Sequence, residues 1–533
     1  MSIPTDYISN LVNELSQGRL GNLITQADAR RILQEVKEIP ENYPDFDPLL
    51  TEKATHIAYV LLSCGCSLME ESNSNFTATE SLSILEKAGK LLSDIYKYND
   101  DEFYSKDYNL LISGMALYAA KQYSRAFIVL NNVNLDFFVG QIVIQFIKKD
   151  FNSLLQNVSQ VFFEPPDELS DIQSLDEWVI SHEIARIFLM VVDFIQTGNQ
   201  NNFDSIDNIF DKLLSIATES SLISYWLILR LLKIILVTFK EASLWTVLTS
   251  LLPVQHITWN YIRLLSGFKP AITELWPSQI MAIPLAVGEN KGGVVNLRTS
   301  GGKTRVAEIA ILNTLSKDMM AKILYLAPFR SLAFEVEQGL SKTFATLGIT
   351  VSQLYGGSTA NVTDFELIKQ SQVIVATPEK AKAIIRCGSG LESELKLIVI
   401  DEGHLLGAEE RYIKNEIFLT HINEFASRNQ IKMLLLSAVL PNANELADWI
   451  SADANLVAKS EWKPALERLG LLLWDGKCVR LEWESDGKPF NPNFIQKASL
   501  GFGRRRNMFP NNKKEAVAAT AVRLAKSGTV MIY

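Results

Sequence analysis

A glycine-rich segment, Arg298–Thr304, follows a short apolar run and precedes helix-period sequence that begins at Val306. Glycines let backbone N–H groups approach phosphate oxygens, and the start of the following helix is electropositive. Lys303 would reach the β- and γ-phosphates of a nucleotide, and the Thr304 hydroxyl would bind Mg²⁺. The general pattern for such loops has a glycine where Leu297 stands. A glycine-rich turn with a chance Lys-Thr pair is therefore the alternative interpretation.

Two adjacent acids, Asp401 and Glu402, follow a second apolar run, Leu397–Ile400. Asp401 suits the Mg²⁺ shell, and Glu402 suits orienting and deprotonating an attacking water. A lone Asp-Glu pair is more often a loop or a helix cap. This pair, however, lies about 100 residues beyond the glycine-rich segment, in the same kind of sequence. We expect the two sites to meet at one nucleotide.

The elements that must position these residues are short apolar runs that alternate with helix-period segments after Gly267. The runs are Val294–Leu297, Ile323–Leu326, Val373–Val375, Leu397–Ile400 and Met433–Leu436. Each run is too short for a helix, and the alternation predicts a parallel sheet with helices on both faces. Ligands of such sheets bind at the carboxyl ends of the strands, where the polar residues stand.

The first 265 residues read as helices of irregular spacing. One stretch has the small and large apolar residues of a tetratricopeptide-like helix–turn–helix unit at Leu110, Gly114, Leu117, Ala126 and Leu130. No constant period follows. The sequence therefore predicts an all-α N-terminal domain, with a repeat solenoid as an alternative.

Length and composition exclude several classes of protein. With 533 residues, 47% hydrophobic and 21% charged, the chain is globular and has several domains. Four cysteines are too few to form a disulfide framework in a chain of this length, which favours a reduced, cytoplasmic protein. The most apolar stretch, residues 222–254, is interrupted by charges, so a buried helix pair is expected and no membrane span.

The charge is unevenly distributed along the chain. Residues 1–270 hold 20 Lys and Arg against 33 Asp and Glu, whereas the remainder holds 31 against 27. An acidic N-terminal half joined to a mildly basic C-terminal half is compatible with nucleic-acid binding by the C-terminal half. The acidic helical front is then a candidate for docking a protein partner.

Residues 275–440 resemble the first RecA-like motor lobe of a superfamily 2 helicase of the DExH type. Seven segments match its motifs in order: Leu275–Gln279 (Q motif), Thr299–Thr304 (I), Ala327–Leu332 (Ia), Gly356-Gly357 (GG), Thr377–Lys380 (Ib), Asp401–His404 (II) and Ser437–Val439 (III). The family form of motif I tolerates a residue other than glycine at position 297. Further likeness to the large superkiller-like and helicase-related group is favoured by His404 and the tryptophans after motif III.

The resemblance implies a role for each matching residue. Catalysis would involve Lys303, Asp401, Glu402 and His404, with Mg²⁺ on Thr304 and Asp401. ATP would be bound by Gln279, at the adenine, and by Thr299, Ser300, Gly301, Gly302, Lys303 and Thr304. A single-stranded or partly duplex nucleic acid, RNA or DNA, would contact Arg330, Ser331, Gly356, Gly357, Thr377, Pro378 and Glu379. Ser437 and Ala438 would couple hydrolysis to strand movement.

The sequence departs from the family pattern at two motif positions and after motif III. Gly403 replaces the usual alanine of motif II, and Val439 replaces the usual threonine of motif III. Neither change removes a metal or phosphate ligand, but the loss of the threonine hydroxyl puts the coupling step in question. A hairpin around Asp475-Gly476 is predicted next, and then a helix from Lys513 and a strand at Thr529–Tyr533 that resemble the start of a second RecA-like lobe.

Motifs V and VI, which supply arginine fingers in this family, are not in the sequence. An arginine finger is worth roughly 10³–10⁵ in rate, so low ATPase activity is expected of the chain as given. Arg504–Arg506 form a basic run that suits either phosphate contact or a solvated loop. The predicted domains are 1–265 (helical), 266–460 (first lobe), 461–512 (connecting hairpin segment) and 513–533 (start of the second lobe).

The sequence thus predicts an ATP-dependent nucleic-acid helicase or translocase. The alternative is a regulatory scaffold whose nucleotide site is a switch and whose helical front binds partners. The Asp-Glu-x-His segment and the Ia, GG and Ib segments favour the helicase.

Overall fold

The computed structural model of the chain covers most of the two predicted regions. It describes residues 10, 19–35, 45–70, 78–96, 105–131, 133–163, 172–253, 256–354, 359–387, 391–404, 410–464, 469–484, 495, 497–500, 507–525 and 529–531. No helix within these ranges has the length and apolar character that crossing a lipid bilayer requires.

The N-terminal region is helical, as predicted. Its helices are Arg19–Glu35, Leu50–Glu70, Ala78–Tyr96, Ser105–Ala119, Tyr123–Leu130, Phe138–Ile147, Phe151–Phe163, Ile172–Thr197, Gln200–Asp204, Ile206–Glu219, Ile223–Ala242, Leu244–Leu251 and His256–Ser266. We call this region, residues 19–266, the helical front. Its described helices vary from 5 to 26 residues in length, so the repeat solenoid stays an alternative without a constant unit.

The predicted helix–turn–helix unit is present in the helical front. Helices Ser105–Ala119 and Tyr123–Leu130 pack together. A methyl group on Gly114 would lie 2.4 Å from the side chain of Leu130, so only glycine allows this close approach.

The following region is a seven-stranded sheet in which every neighbouring pair is parallel. Its strands are β1 (Gly292–Leu297), β2 (Lys322–Leu326), β3 (Val351–Gln353), β4 (Val373–Ala376), β5 (Leu395–Ile400), β6 (Lys432–Ser437) and β7 (Val457–Ser460). The order across the sheet is β3-β4-β2-β5-β6-β1-β7. This is the predicted RecA-like arrangement, and it places the carboxyl ends of β1, β6 and β5 side by side.

Helices alternate with the strands along the chain. They are Pro277–Val287, Lys303–Lys317, Arg330–Phe344, Val362–Gln370, Pro378–Arg386, Glu410–Arg428 and Ala443–Ser451, with short 3-10 turns at Ala345–Leu347 and Leu391–Ser393. Pro277 and Pro378 stand in the first turn of their helices, where proline costs no hydrogen bond.

Alternate residues of each strand enter two separate apolar cores. Val294, Leu324 and Ile398 belong to the core on one face of the sheet. Val295 and Tyr325 belong to the core on the other face, which is continuous with the core of the helical front. The helical front and the sheet therefore share buried apolar surface.

Short elements follow β7. Strands β8 (Gly470–Trp474) and β9 (Val479–Trp483) form the predicted antiparallel hairpin, β10 (Ala498–Leu500) pairs with β11 (Asn507–Phe509), and a helix spans Lys513–Leu524. The predicted strand at 529–533 is not observed in its described part, residues 529–531. The second lobe and the domain boundaries stay predictions.

Candidate functional site

The glycine-rich segment forms a tight turn between β1 and helix Lys303–Lys317. The N–H of Gly301 donates to the carbonyl of Arg298 at 2.9 Å. Ser300 and Gly302 have left-handed backbones, with φ of 64° and 83°. A methyl group on Gly302 would lie 2.1 Å from Nε2 of Gln279, so the position needs glycine on two grounds. Ser300 is one of seven described residues other than glycine with a positive φ, a conformation that costs energy in a residue with a side chain.

The structure brings Lys303 and the acid pair together. Nζ of Lys303 lies 3.8 Å from Oε2 of Glu402, although the two residues are about 100 positions apart in the chain. The order β5-β6-β1 explains the approach, because only β6 separates the two strand ends. Glu402 also has a left-handed backbone, with φ of 51°. The ammonium and the carboxylate therefore face each other at one edge of the sheet.

Asp401 is held by its backbone and by a buried tyrosine. Its N–H donates to the carbonyl of Leu326 at 2.9 Å, and its Oδ2 accepts a hydrogen bond from the Tyr325 hydroxyl at 2.8 Å. Burial raises the pKa of the Asp401 carboxyl, and the charge of Glu402 acts in the same direction. The Tyr325 hydroxyl, the Glu402 N–H and Lys303 lower this pKa, because they favour the carboxylate.

The residues at this edge fit a triphosphate with Mg²⁺. No group of three or more His, Cys, Asp or Glu side chains within the described ranges could hold a metal unaided. Mg²⁺ does not require one, because it commonly uses one or two carboxylates with water and substrate phosphates. Asp401 supplies the carboxylate, and the exposed Thr304 lies in the first helical turn. The donor set is oxygen only, which suits a hard cation.

Gln279 contacts the glycine-rich segment Arg298–Thr304, which we call the phosphate loop after its predicted role. Its side chain is 7% exposed and donates a hydrogen bond of 3.4 Å to the carbonyl of Gly302. Its Oε1 accepts from the N–H of Trp276 at 2.8 Å. The neighbouring Ser278 donates from its hydroxyl to the carbonyl of Gly301 at 2.8 Å. Contact of Gln279 with adenine stays a prediction, whereas its contact with the loop is observed.

The predicted motifs II and III meet through His404. Its Nδ1 lies 3.2 Å from Oε2 of Glu402 and 3.2 Å from the hydroxyl of Ser437. Gly403, the departure from the usual alanine, has a structural cause. A methyl group at that position would lie 2.5 Å from the side chain of Leu435 on β6. The Leu435 side chain therefore occupies the space that an alanine methyl group at position 403 would need.

Thr299, Ser300 and Ala438 line one cleft of about 670 Å³ between the phosphate loop and the segment after β7. Val439, which stands in place of the usual threonine, is 67% exposed at its edge.

The residues predicted to contact nucleic acid follow two neighbouring strands. Arg330 and Ser331 begin the helix after β2. Thr377 stands at the N-cap position of the helix after β4, and this helix starts with Pro378 and Glu379. Since β2 and β4 are paired, both groups lie at the same edge of the sheet. Gly356, Gly357 and the Arg504–Arg506 run lie outside the described residues.

A family model of the DEAD/DEAH box helicase matches residues 276–446. This match covers the phosphate loop, the acid pair Asp401 and Glu402, and strands β1 to β6. Residues 276–446 form a superfamily 2 helicase motor domain.

Relatives extend the likeness beyond the motor domain. The chain is 36% identical to the Hachiman protein HamB of Bacillus cereus over 100% of its own length and 48% of that protein. It is 35% identical to the ATP-dependent DNA helicase Hel308 of Thermococcus kodakarensis over 46% of the chain and 20% of that protein. The chain thus spans about half or less of these relatives.

A solved structure of the DUF1998 helicase MrfA bound to DNA aligns with 39% of the chain and 30% of that protein, at 20% identity and a TM-score of 0.33.

The structure gives roles to two residues, Tyr325 and Lys380, that were not among the predicted site residues. Tyr325 lies inside β2, where the sequence shows only an apolar run, yet its hydroxyl bonds Asp401. Lys380, the last residue of motif Ib, is 1% exposed and pairs with Asp364. A charged residue within a motif was the available signal for Lys380. Nothing in the local sequence marks Tyr325.

Removing the hydroxyl of Tyr325 should weaken metal binding. We expect Tyr325→Phe to lower Mg²⁺ affinity about 10–100-fold, the usual effect of losing a group that holds a metal ligand. The hydroxyl lowers the pKa of Asp401, so the variant should raise that pKa further. Because Mg²⁺ needs the carboxylate, binding should fail at a higher pH in the variant than in the parent as the solution is acidified.

Calorimetric titration of Mg²⁺ into the protein with an ATP analogue, at several pH values, measures both effects. Tyr59→Phe is the matched control, since its hydroxyl donates to Asn109 Oδ1 in the helical front. Equal Mg²⁺ affinity for all three proteins at every pH would contradict the role of Tyr325.

Proposed function

We propose that the chain is the ATP-binding portion of an ATP-dependent nucleic-acid helicase or translocase of the DExH type. The observation that carries the proposal is the approach of Lys303 to Glu402, at 3.8 Å, beside the partly buried Asp401. A phosphate loop and an acid pair at one strand edge are the parts that phosphoryl transfer to water requires.

Each residue has a chemical task in this proposal. Lys303 and the N–H groups of residues 299–304 neutralise phosphate charge, and Gln279 holds the loop in place and reads the adenine. Asp401 and the Thr304 hydroxyl hold Mg²⁺, which supplies charge neutralisation at the phosphates when bound. Glu402 accepts a proton from the attacking water. His404 links Glu402 to Ser437 and Ala438, and through them to strand movement.

Nucleic acid would cross the edge formed by the ends of β2 and β4. Arg330, Ser331, Thr377, Pro378 and Glu379 stand there, and Gly356 and Gly357 belong to the same predicted set. Backbone contacts of this kind carry little sequence preference. DNA is the first substrate to test, because the Hel308 relative is named a DNA helicase. The acidic helical front would dock a protein partner.

Replacing Lys303 by alanine should abolish nucleic-acid-stimulated ATP turnover. Loss of one preorganised charge at a phosphate costs about 10²–10³ in rate. The measurement is phosphate release by the complete protein, with and without single-stranded DNA or RNA, for the parent and Lys303→Ala. Equal turnover by the two proteins would reject the site.

Strand binding as a function of salt separates this function from the scaffold alternative. A helicase releases counterions from the strand, so its affinity should fall steeply as salt rises. A nucleotide-switched scaffold should bind labelled single strands weakly, or without that dependence.

A further inference from the structure

Tyr261 of the helical front contacts Arg305 and Glu308 on helix Lys303–Lys317, which we call the phosphate-loop helix. Tyr261, on helix His256–Ser266, donates from its hydroxyl to Glu308 Oε2 at 3.0 Å and accepts from Arg305 Nη1 at 3.1 Å. Arg305 and Glu308 also form an ion pair. Tyr261 is 0% exposed and Glu308 is 5% exposed. Because Arg305 lies two residues after Lys303, this group fixes the first turn of the phosphate-loop helix.

A second contact holds the segment just before the helix that carries Gln279. The carboxylate of Glu274 lies 2.8 Å from Nζ of Lys149 and also bonds the hydroxyl of Tyr118. The Glu274 side chain is 8% exposed. The Lys149 ammonium lies 4.7–5.1 Å from the centres of three aromatic rings, which fixes its position further. The entry of the chain into the motor domain is thus bound to the helical front.

A third contact is aromatic and lies where the chain leaves the sheet. Trp462, two residues after β7, has its ring centre 6.1 Å from that of Tyr123 and 5.6 Å from that of Trp276. Trp276 in turn donates its N–H to Gln279, which bonds the carbonyl of Gly302. A continuous set of contacts therefore runs from the helical front to the phosphate loop.

We propose that Tyr261 and Trp462 are positioning residues for nucleotide binding, and that the helical front holds the phosphate loop through them. The proposal rests on the proposed ATP site. Tyr261 acts on the first turn of the phosphate-loop helix, and Trp462 acts on Gln279 through Trp276. Any event that moves the helical front, such as partner binding, then changes the affinity for nucleotide, and nucleotide changes the affinity for the partner by the same factor.

Equilibrium titration of the full chain with a fluorescent ATP analogue and Mg²⁺ tests the proposal. Tyr261→Phe removes one hydroxyl and no apolar surface. We expect it to weaken analogue binding about three- to tenfold, the range that one hydrogen bond is worth. Tyr108→Phe is the matched control, because its hydroxyl donates to the carbonyl of Ser224 within the helical front at 2.9 Å. This control should bind as the parent does.

Trp462→Leu is a second test, matched by Trp259→Leu, which removes a 37% exposed ring from the helical front. Only Trp462→Leu should weaken binding of the analogue.

Steady-state kinetics of Tyr261→Phe give a further test. The KM for ATP should rise while kcat at saturating ATP stays within about twofold, because excess ATP still fills a site whose phosphate loop is only misplaced. A purely structural role would lower the thermal midpoint and leave KM unchanged.

The outcomes separate this proposal from the one on which it rests. If the parent fails to bind the analogue, the ATP site is wrong and this proposal falls with it. If the parent binds, and Tyr261→Phe binds as tightly as Tyr108→Phe, the ATP site stands and the positioning role is wrong.

Discussion

Glu402→Gln should abolish turnover while leaving ATP binding almost intact. The change keeps the size of the side chain but removes the base that would take a proton from water. A positioned general base is worth about 10²–10⁴ in rate, so turnover should fall by that factor. The charge of Glu402 faces Lys303 at 3.8 Å, and its loss leaves the ammonium free for phosphate. The affinity for ATP should therefore stay equal or increase.

Single-turnover hydrolysis and analogue titration together measure this result. Glu416→Gln is the matched control, since Glu416 is an exposed glutamate on helix Glu410–Arg428. It should leave both quantities unchanged. Parallel losses of binding and turnover in Glu402→Gln would contradict the assignment of Glu402 as the base.

Removing either member of the Asp364–Lys380 pair should destabilise the motor domain strongly. The two side chains are 4% and 1% exposed, and Nζ lies 2.6 Å from Oδ2. Lys380 also donates to the carbonyl of Thr359 at 2.9 Å, and Asp364 accepts from the N–H of Asn361 at 2.8 Å. A buried charge left without its partner costs about 3–5 kcal/mol.

We expect Asp364→Ala to lower the free energy of local opening by that amount, measured by hydrogen exchange in helices Val362–Gln370 and Pro378–Arg386. The double variant Asp364→Leu with Lys380→Met should lose less, because no unpaired charge remains. Glu424→Ala breaks an exposed ion pair with Arg428 and should cost under about 1 kcal/mol. Equal losses for Asp364→Ala and Glu424→Ala would show that burial of the pair is not decisive.

Under the proposed function, this pair also affects nucleic-acid binding. It joins Lys380 of the predicted motif Ib to Thr359 and Asn361, so Asp364→Ala should weaken strand binding as well as stability. Strand binding measured at low temperature, where the variant is folded, would show whether the two effects are separate.

The sequence was sufficient for the central strands and for the residues at their ends. The apolar runs at 294–297, 397–400 and 433–436 mark β1, β5 and β6, since strands buried on both faces are almost wholly apolar. Strands β3 and β7 were not predicted. They lie at the two edges of the sheet, are short, and include Ser352 and Lys459, so they lack a continuous apolar run.

The parts of the site that the sequence could not show depend on distant contacts. Lys303 and Glu402 could be paired because each stands at a strand end in a recognisable pattern. Tyr325 and Tyr261 have no such pattern, since an aromatic residue in an apolar run looks the same whether or not its hydroxyl has a partner. Their tasks depend on residues 76 and 44 positions away, which only the folded chain brings near.

The shared apolar core has a practical consequence for anyone who wishes to cut this protein into pieces. Removing residues 1–265 to obtain a minimal motor would expose the apolar core on one face of the sheet. It would also leave Arg305 and Glu308 without Tyr261. Such a truncation would expose a broad apolar surface to water, which favours aggregation. Biochemical work on the motor is better served by point changes in the intact chain.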